Sequence, residues 1–347
     1  MRAETIADEI DVNIFKRVIK TCLAPTDESI LLLSDEGTPS SRVAPAIHIA
    51  YRRALNELGI PFKQHVQTAR FRGEAADPGL IEQLRRLPPR SAIIISMSNR
   101  LGSIGRVGLS FRKYARQNQH KFISASSFGG IRSEQAANII DTFDIDYHDL
   151  QRNAARIKAS MDAAREIHVT SKEGSDFIVN VDGKTAVANA GDYTRFGTGG
   201  NLPCGETYIP PEGRQGVEGT IVVDGSIRLR DQTILAQNPL ELRIEKGKIA
   251  RISDSPEGRM LANTLDWADA HAKNPDGNRR IGEFSMALNK KARVVGATII
   301  DEKTFGTCHI ANGSNAWFGG NIYAKIHLDH IIRHPKIHAD GKRLLFD

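Results

Sequence analysis

A chain of 347 residues, 40% hydrophobic and 25% charged, is long enough for two domains and apolar enough to bury a core, which excludes disorder as its main state. Its net charge of +6, from 47 basic and 41 acidic residues, is spread without a block of like charges, so no nucleic-acid partner is expected. No apolar run approaches the roughly 20 residues that cross a bilayer, and Glu4, Asp8, Glu9 and Asp11 stand where a secretory segment carries its apolar core, so the expectation is a cytoplasmic protein with no membrane partner.

In chain order, Ser29-Ile30-Leu31-Leu32-Leu33-Ser34 is an apolar run that stops at the turn-like Asp35-Glu36-Gly37-Thr38-Pro39. A helical pattern follows from Val43 to Leu58 and closes on Gly59-Ile60-Pro61, glycine first and proline just after. Ser91-Ala92-Ile93-Ile94-Ile95-Ser96, preceded by Pro88-Pro89, reads as a strand buried on both faces. Arg112, Lys113 and Arg116 fit the solvated face of a helix. Lys121 to Ser127 reads as another strand and Glu134 to Ile140 as another helix, so residues 1–160 are expected to form an α/β domain with a parallel sheet. The glycines of Gly102 to Gly108 and of Gly197-Thr198-Gly199-Gly200 fit neither nucleotide-binding loop pattern.

A helix from Leu150 to Arg165 leads into residues 161–347, whose texture differs. Glu166 to Asn180 and Gly219 to Ser253 are rich in short alternating segments, and Lys246-Gly247 marks a hairpin tip. One helix, Gly258 to Ala272, interrupts them; Ala297 to Asp301 and Asn321 to Ile332 read as extended. The second domain is therefore expected to be β-rich α+β.

Chemistry concentrates in this second half. In a strand, His327 and Asp329 share a face, as a metal site or an acid/base pair requires, although an exposed pair has the same spacing. His309 lies in the apolar stretch Thr307-Cys308-His309-Ile310, which also suits a hydrogen-bonded core histidine. Glu283 sits between apolar neighbours, with Arg279 and Arg280 upstream as ordinary ion-pair partners, and Glu206 follows a glycine-rich loop where a solvated glutamate is equally at home. Buried carboxylates need a partner cation, and the set Glu206, Glu283, His309, His327 and Asp329 has the mixed oxygen and nitrogen character of a divalent-ion site. Five ligands exceed what one catalytic zinc takes from protein and suit a two-metal centre. Cys204 and Cys308 read as small packing residues, and all three cysteines, Cys22 included, as free thiols. His330, His334 and His338 would share one solvated face of a helix. Asp176, Arg195 and Trp317 are candidate substrate-binding residues.

These segments resemble the thermophilic-type metalloaminopeptidases of the aminopeptidase T and aminopeptidase S type. The likeness runs through Gly174-Ser175-Asp176-Phe177, Asn201 to Pro210, Gly219 to Gly225, Ile281-Gly282-Glu283, Gly306 to Ala311 and Asn321 to Asp329. It implies a metal-dependent hydrolase of an amide or peptide bond with two divalent ions, zinc or else cobalt or manganese. The ligands implied are Glu206, Glu283, His309, His327 and Asp329, the substrate is a peptide or small molecule, and the assembly is a homodimer. Ala316 stands where that family has a tyrosine, and Tyr323 where it tends to have serine. The chain also resembles, more distantly, the 2,5-dihydroxypyridine dioxygenases, whose first histidine corresponds to Glu283. That likeness implies one ferrous ion on a triad such as His309, His327 and Asp329. A catalytically inactive binding protein on the same fold is the third alternative.

Overall fold

The run Ile30-Leu31-Leu32-Leu33 has no polar face to offer solvent, and the fold covers it on both sides. The computed structural model, which describes every residue except Arg72, Leu109 and Asp347, places this run in a central parallel strand. Two short helices, α1 (Ala3–Asp8) and α2 (Val12–Val18), precede it. Then come β1 (Ile30–Asp35), α3 (Val43–Glu57), β2 (Phe62–Gln67), α4 (Pro78–Arg86), β3 (Ala92–Ser96), α5 (Phe111–Gln117), β4 (Lys121–Ala125) and α6 (Ala136–Ile140). Alternate residues Leu31, Leu33, Ile93 and Ile95 join Leu80 and Leu84 of α4 and Tyr114 of α5 in one buried cluster, while α3 packs on β1 and β3. Each such side chain removed from water stabilises the fold by about 1.5–3 kcal/mol. Helix α3 stops where expected: Gly59 takes φ of 67°, and the Ile60 amide donates back to the Leu55 carbonyl at 3.0 Å. Arg112, Lys113 and Arg116 are exposed on α5.

The chain forms two compact units, Met1–Tyr147 with Gly191–Cys204, and His148–Ala190 with Gly205–Asp347. The chain passes through α7 (Tyr147–Ala163), β5 (Glu166–Thr170), β6 (Asp176–Asn180) and β7 (Val187–Asn189) before it returns to the first unit. There β8 (Gly199–Asn201) pairs parallel with β4 and completes the order β2-β1-β3-β4-β8.

The second unit is antiparallel. Its remaining strands are β9 (Glu206–Ile209), β10 (Val217–Val223), β11 (Ser226–Arg228), β12 (Thr233–Leu235), β13 (Leu240–Glu245), β14 (Lys248–Ile252), β15 (Ile281–Ala287), β16 (Thr307–Gly313), β17 (His327–Arg333), β18 (Lys336–Ala339) and β19 (Lys342–Leu344). They form two seven-stranded sheets, β14-β13-β10-β6-β5-β18-β19 and β12-β11-β17-β16-β15-β9-β7. β13 buries Leu240, Leu242 and Ile244 and exposes the charged residues between them, as the alternation in its sequence requires. Lys246 and Gly247, both at positive φ, make the expected hairpin tip. Helix α8 (Pro256–Ala270) starts on a Ser255 side chain that accepts from the Gly258 amide at 3.0 Å. In the second sheet β15 and β16 bury every residue.

Three expectations about local structure fail, the last of them in part. Thr298–Asp301 is a short helix, α9, rather than extended; the Asp301 carboxylate draws the preceding turn closed by accepting from the Val295 and Gly296 amides. His330 lies in a strand, not on a helix with His334 and His338, and is buried. The segment Asn321 to Ile326 is loop, held where the Asn315 side chain accepts from the Ile322 amide at 2.8 Å. The three cysteines are free and buried. Among the described residues no helix is long and apolar enough to cross a membrane.

Candidate metal centre

Strand register puts the five candidate ligands on one face of one sheet. Residues directly opposite in an antiparallel pair share a face, as do residues two apart. Asp329 pairs with Ala311, so His309 shares its face, and His327 shares it by alternation. Glu283 also pairs with Ala311, and Ala287, four residues further along β15, pairs with Glu206. A bulge at Gly282 shifts the β15–β16 register just before Glu283. Gly205 is required ahead of Glu206: its φ is 126°, and a Cβ there would lie 2.9 Å from the Asn289 backbone nitrogen.

The side chains converge on this face. His309 Nε2 lies 3.3 Å from Glu283 Oε1 and 3.8 Å from Glu206 Oε2. His327 Nε2 lies 3.4 Å from Glu283 Oε2 and 3.3 Å from Asp329 Oδ1. Donor atoms of Glu206, Glu283 and His309 all lie within 4.8 Å of one another, as do those of Glu283, His327 and Asp329. Glu283 is common to both triads. The ligand set His309, His327 and Asp329 is thus not the one the geometry closes; Glu283 takes the place of His309 beside His327 and Asp329. His327 Nδ1 donates to the Ser314 carbonyl at 2.9 Å, which turns the other ring nitrogen toward the carboxylates. The donor chemistry fits a divalent ion: buried carboxylates and imidazoles of mixed oxygen and nitrogen type suit zinc or iron(II).

The electrostatics favour cations here. Burial pushes the Glu283 and Asp329 carboxyls up, but the imidazoles beside them leave both below the usual carboxylate range. Burial pushes His309 and His327 down; the hydrogen bond that His309 donates to Glu283, and the Asp329 charge beside His327, reverse this and raise both. Three neighbours were not singled out from sequence. Lys303 is 1% exposed, and its ammonium bonds to Glu206 Oε1 and, at 2.7 Å, to Glu302 Oε1. Burial would push that ammonium down, but the charges of Glu206 and Glu302 hold it up. Burial pushes the Glu302 carboxyl up to about 7, Lys303 opposing and Glu206 adding to the rise. Asn189 Nδ2 donates to Glu206 Oε1 at 3.0 Å.

Of the candidate substrate-binding residues, Trp317 stands beside the cluster. Its ring meets the His327 ring edge-on with centroids 4.8 Å apart, and 55% of the residue is exposed. Phe318 joins Trp317 to Tyr208, which shares the face of the ligands through its pairing with Ser285. Asp176 is not brought to the cluster: it lies on β6 in the other sheet, on that strand's exposed face, paired with His168 at 2.7 Å. Arg195 belongs to the first unit and is exposed. Cys308 and His330 point to the opposite face from the ligands. His330 Nε2 sits 2.8 Å from Asn312 Oδ1, and burial pushes the Cys308 thiol up, leaving it a packing residue.

The comparisons with known proteins divide along the same line. The family model described as NicX, 2,5-dihydroxypyridine 5,6-dioxygenase, matches residues 144–347. The 2,5-dihydroxypyridine 5,6-dioxygenase of Pseudomonas putida is 26% identical over 207 residues, 57% of this chain and 57% of that protein. The alignment therefore spans little more than half the length of that curated relative. Among solved structures, 2,5-dihydroxypyridine dioxygenase from Pseudomonas putida KT2440 gives a TM-score of 0.75 at 18% identity, over 99% of this chain and 96% of that one. Wild-type AmpT from Thermus thermophilus gives 0.65 at 16% identity, over 98% and 97%. At these identities the two structures speak for the fold; similarity in sequence is to the dioxygenase.

Proposed function

The chain belongs to the 2,5-dihydroxypyridine 5,6-dioxygenase family, and from that premise we propose that it is a metal-dependent oxygenase that opens a hydroxylated aromatic ring. Glu283, His327 and Asp329 would hold iron(II). The observation that carries the proposal is their convergence on one buried sheet face, with the His327 ring fixed by its bond to the Ser314 carbonyl. Iron(II) in such a set supplies the one-electron chemistry that dioxygen requires. The chain's own residues supply the rest. The carboxylates of Glu283 and Asp329 fix the charge at the centre, and the surrounding strands exclude water from all but the edge where His327 is 23% exposed. Trp317, edge-on to His327 at that edge, offers a flat apolar wall against which a ring can lie.

A second reading, amide or peptide hydrolysis by two divalent ions, is favoured by one specific observation: Glu206 and His309 complete a second triad on Glu283. Oxygen uptake separates the two readings. Protein reconstituted anaerobically with iron(II) and given 2,5-dihydroxypyridine is expected to consume oxygen. No uptake by the iron form, together with release of amine from aminoacyl amides by the zinc or cobalt form, would overturn the proposal. Protein that takes up no metal under either condition would point to the inactive binding protein.

A further inference from the structure

Lys303 is the most deeply buried cation of the cluster, and neither reading above uses it. Its ammonium is bonded to Glu206 Oε1 and Glu302 Oε1, and Glu206 Oε1 also accepts from Asn189. One oxygen of Glu206 is therefore taken twice over before any metal arrives. Its other oxygen, 3.8 Å from His309 Nε2, is all that faces the second triad.

The charges make the same point. Glu206, Glu283, Glu302 and Asp329 bring four negative charges to this buried region, and Lys303 cancels one. A single divalent ion leaves one negative charge, which a proton on a carboxylate removes. A second divalent ion turns the balance positive unless a hydroxide enters with it, and in either case it would stand against an ammonium held on the same glutamate. Buried charge without a counter-charge is costly, and like charges sharing one ligand add to the cost.

We propose that the Lys303 ammonium, held on Glu206 Oε1, is a built-in counter-cation that disfavours a second metal ion at Glu206 Oε2 and limits the centre to one ion. This rests on the reading of the cluster as a metal centre and deepens it, because two-metal hydrolysis needs Glu206 as a ligand, and Lys303 already offsets that carboxylate's charge. Lys303 acts through Glu206, as a positioning residue.

The test is metal stoichiometry. Wild-type protein and a Lys303→Met variant are loaded with excess zinc, desalted, and measured for zinc per chain by plasma mass spectrometry, with circular dichroism to check folding. The wild type is expected to hold one zinc per chain and the variant two, since methionine keeps the volume and removes the counter-cation from both carboxylates. Two ions in the wild type, or one in a folded Lys303→Met variant, would overturn the proposal. A Glu206→Gln variant gives an arm that stands even if Lys303→Met does not fold. It is expected to keep its single zinc, and loss of that zinc would show Glu206 to be a ligand of the resident ion and sink the idea. The outcome is separable from the oxygenase reading: one bound ion without oxygen uptake defeats only that reading, and two bound ions with oxygen uptake defeat only this one.

Discussion

Glu283 is the residue on which both donor triads depend, so Glu283→Gln is the sharpest perturbation of the centre. The change is nearly isosteric, and the amide oxygen can still accept from an imidazole. What it removes is one negative charge. Unit charges 4 Å apart interact by ~4 kcal/mol at the effective permittivity that describes protein sites, and a divalent ion doubles this to ~8 kcal/mol. Part returns because metal-free Glu283 is already stabilised by His309 and His327 at 3.3 and 3.4 Å, interactions the variant also weakens. If half cancels, ~4 kcal/mol remains, on the order of a thousandfold in Kd. Competition against a chromophoric chelator, with zinc or with iron(II) under nitrogen, reads this directly. A Glu283→Gln variant that binds either metal within tenfold of wild type would refute the claim that the triads share this carboxylate as a ligand.

The remaining expectations concern substrate, backbone and pH. Trp317→Ala should leave folding stability within about 0.5 kcal/mol, since the residue is a surface one. It should raise KM for an aromatic substrate roughly three- to tenfold, with Trp317→Phe recovering most of the loss; an unchanged KM would remove Trp317 from the substrate's path. Gly205→Ala forces a side chain into a positive-φ position and against the Asn289 backbone, so a destabilisation of about 2–4 kcal/mol is expected, visible as a lowered Tm and reduced zinc content. His120 and His330 are buried, and desolvation lowers both imidazoles from 6.5 to about 4. The unfolded chain takes up these protons near pH 6.5 and the folded chain only near 4, so stability is full above 6.5 and falls as pH drops through that window, by up to roughly 3 kcal/mol for each imidazole. Because the raised His309, His327 and Glu302 act in the opposite sense over the same window, the measure is the difference between wild type and a His120→Gln variant in urea unfolding at pH 7.5 and pH 5; the variant should lose less stability on acidification, and an equal loss in the two proteins would refute it.

The alternation of a strand made much of the centre legible. His327 and Asp329, two apart in an apolar setting, carry a strand's period of two, and the register of β16 and β17 then brings His309 to the same face. Glu206 and Glu283 have no such spacing and entered as carboxylates in apolar or glycine-rich surroundings, a weaker signal that the resemblance reinforced, because their approach depends on pairing between residues 81 positions apart, Ala287 with Glu206. Asp176 shows the reverse failure: its segment resembles one near a catalytic site, yet alternation along β6 turns it to solvent. The strand β8 was hidden because it reads Gly-Gly-Asn. A Cβ at Gly199 would lie 2.2 Å from the Phe122 ring, so close approach to the neighbouring strand, not strand propensity, decides that residue.

Lys303 is the instructive case. In the sequence it closes the triplet Asp301-Glu302-Lys303, which has the composition of a solvated turn, and nothing within the triplet says otherwise. Asp301 and Lys303 are tied down by partners outside the triplet, and Glu302 by Lys303 itself. Asp301 accepts from the Val295 and Gly296 amides, and Lys303 reaches Glu206, 97 positions away. A lysine can be buried only where carboxylates already wait for it, so its burial is a property of the assembled face. The same dependence makes it chemically informative: an ammonium on one oxygen of Glu206 offsets charge that a second divalent ion would otherwise meet there, so on our proposal the count of ions turns on a residue that sequence patterning assigns to the surface.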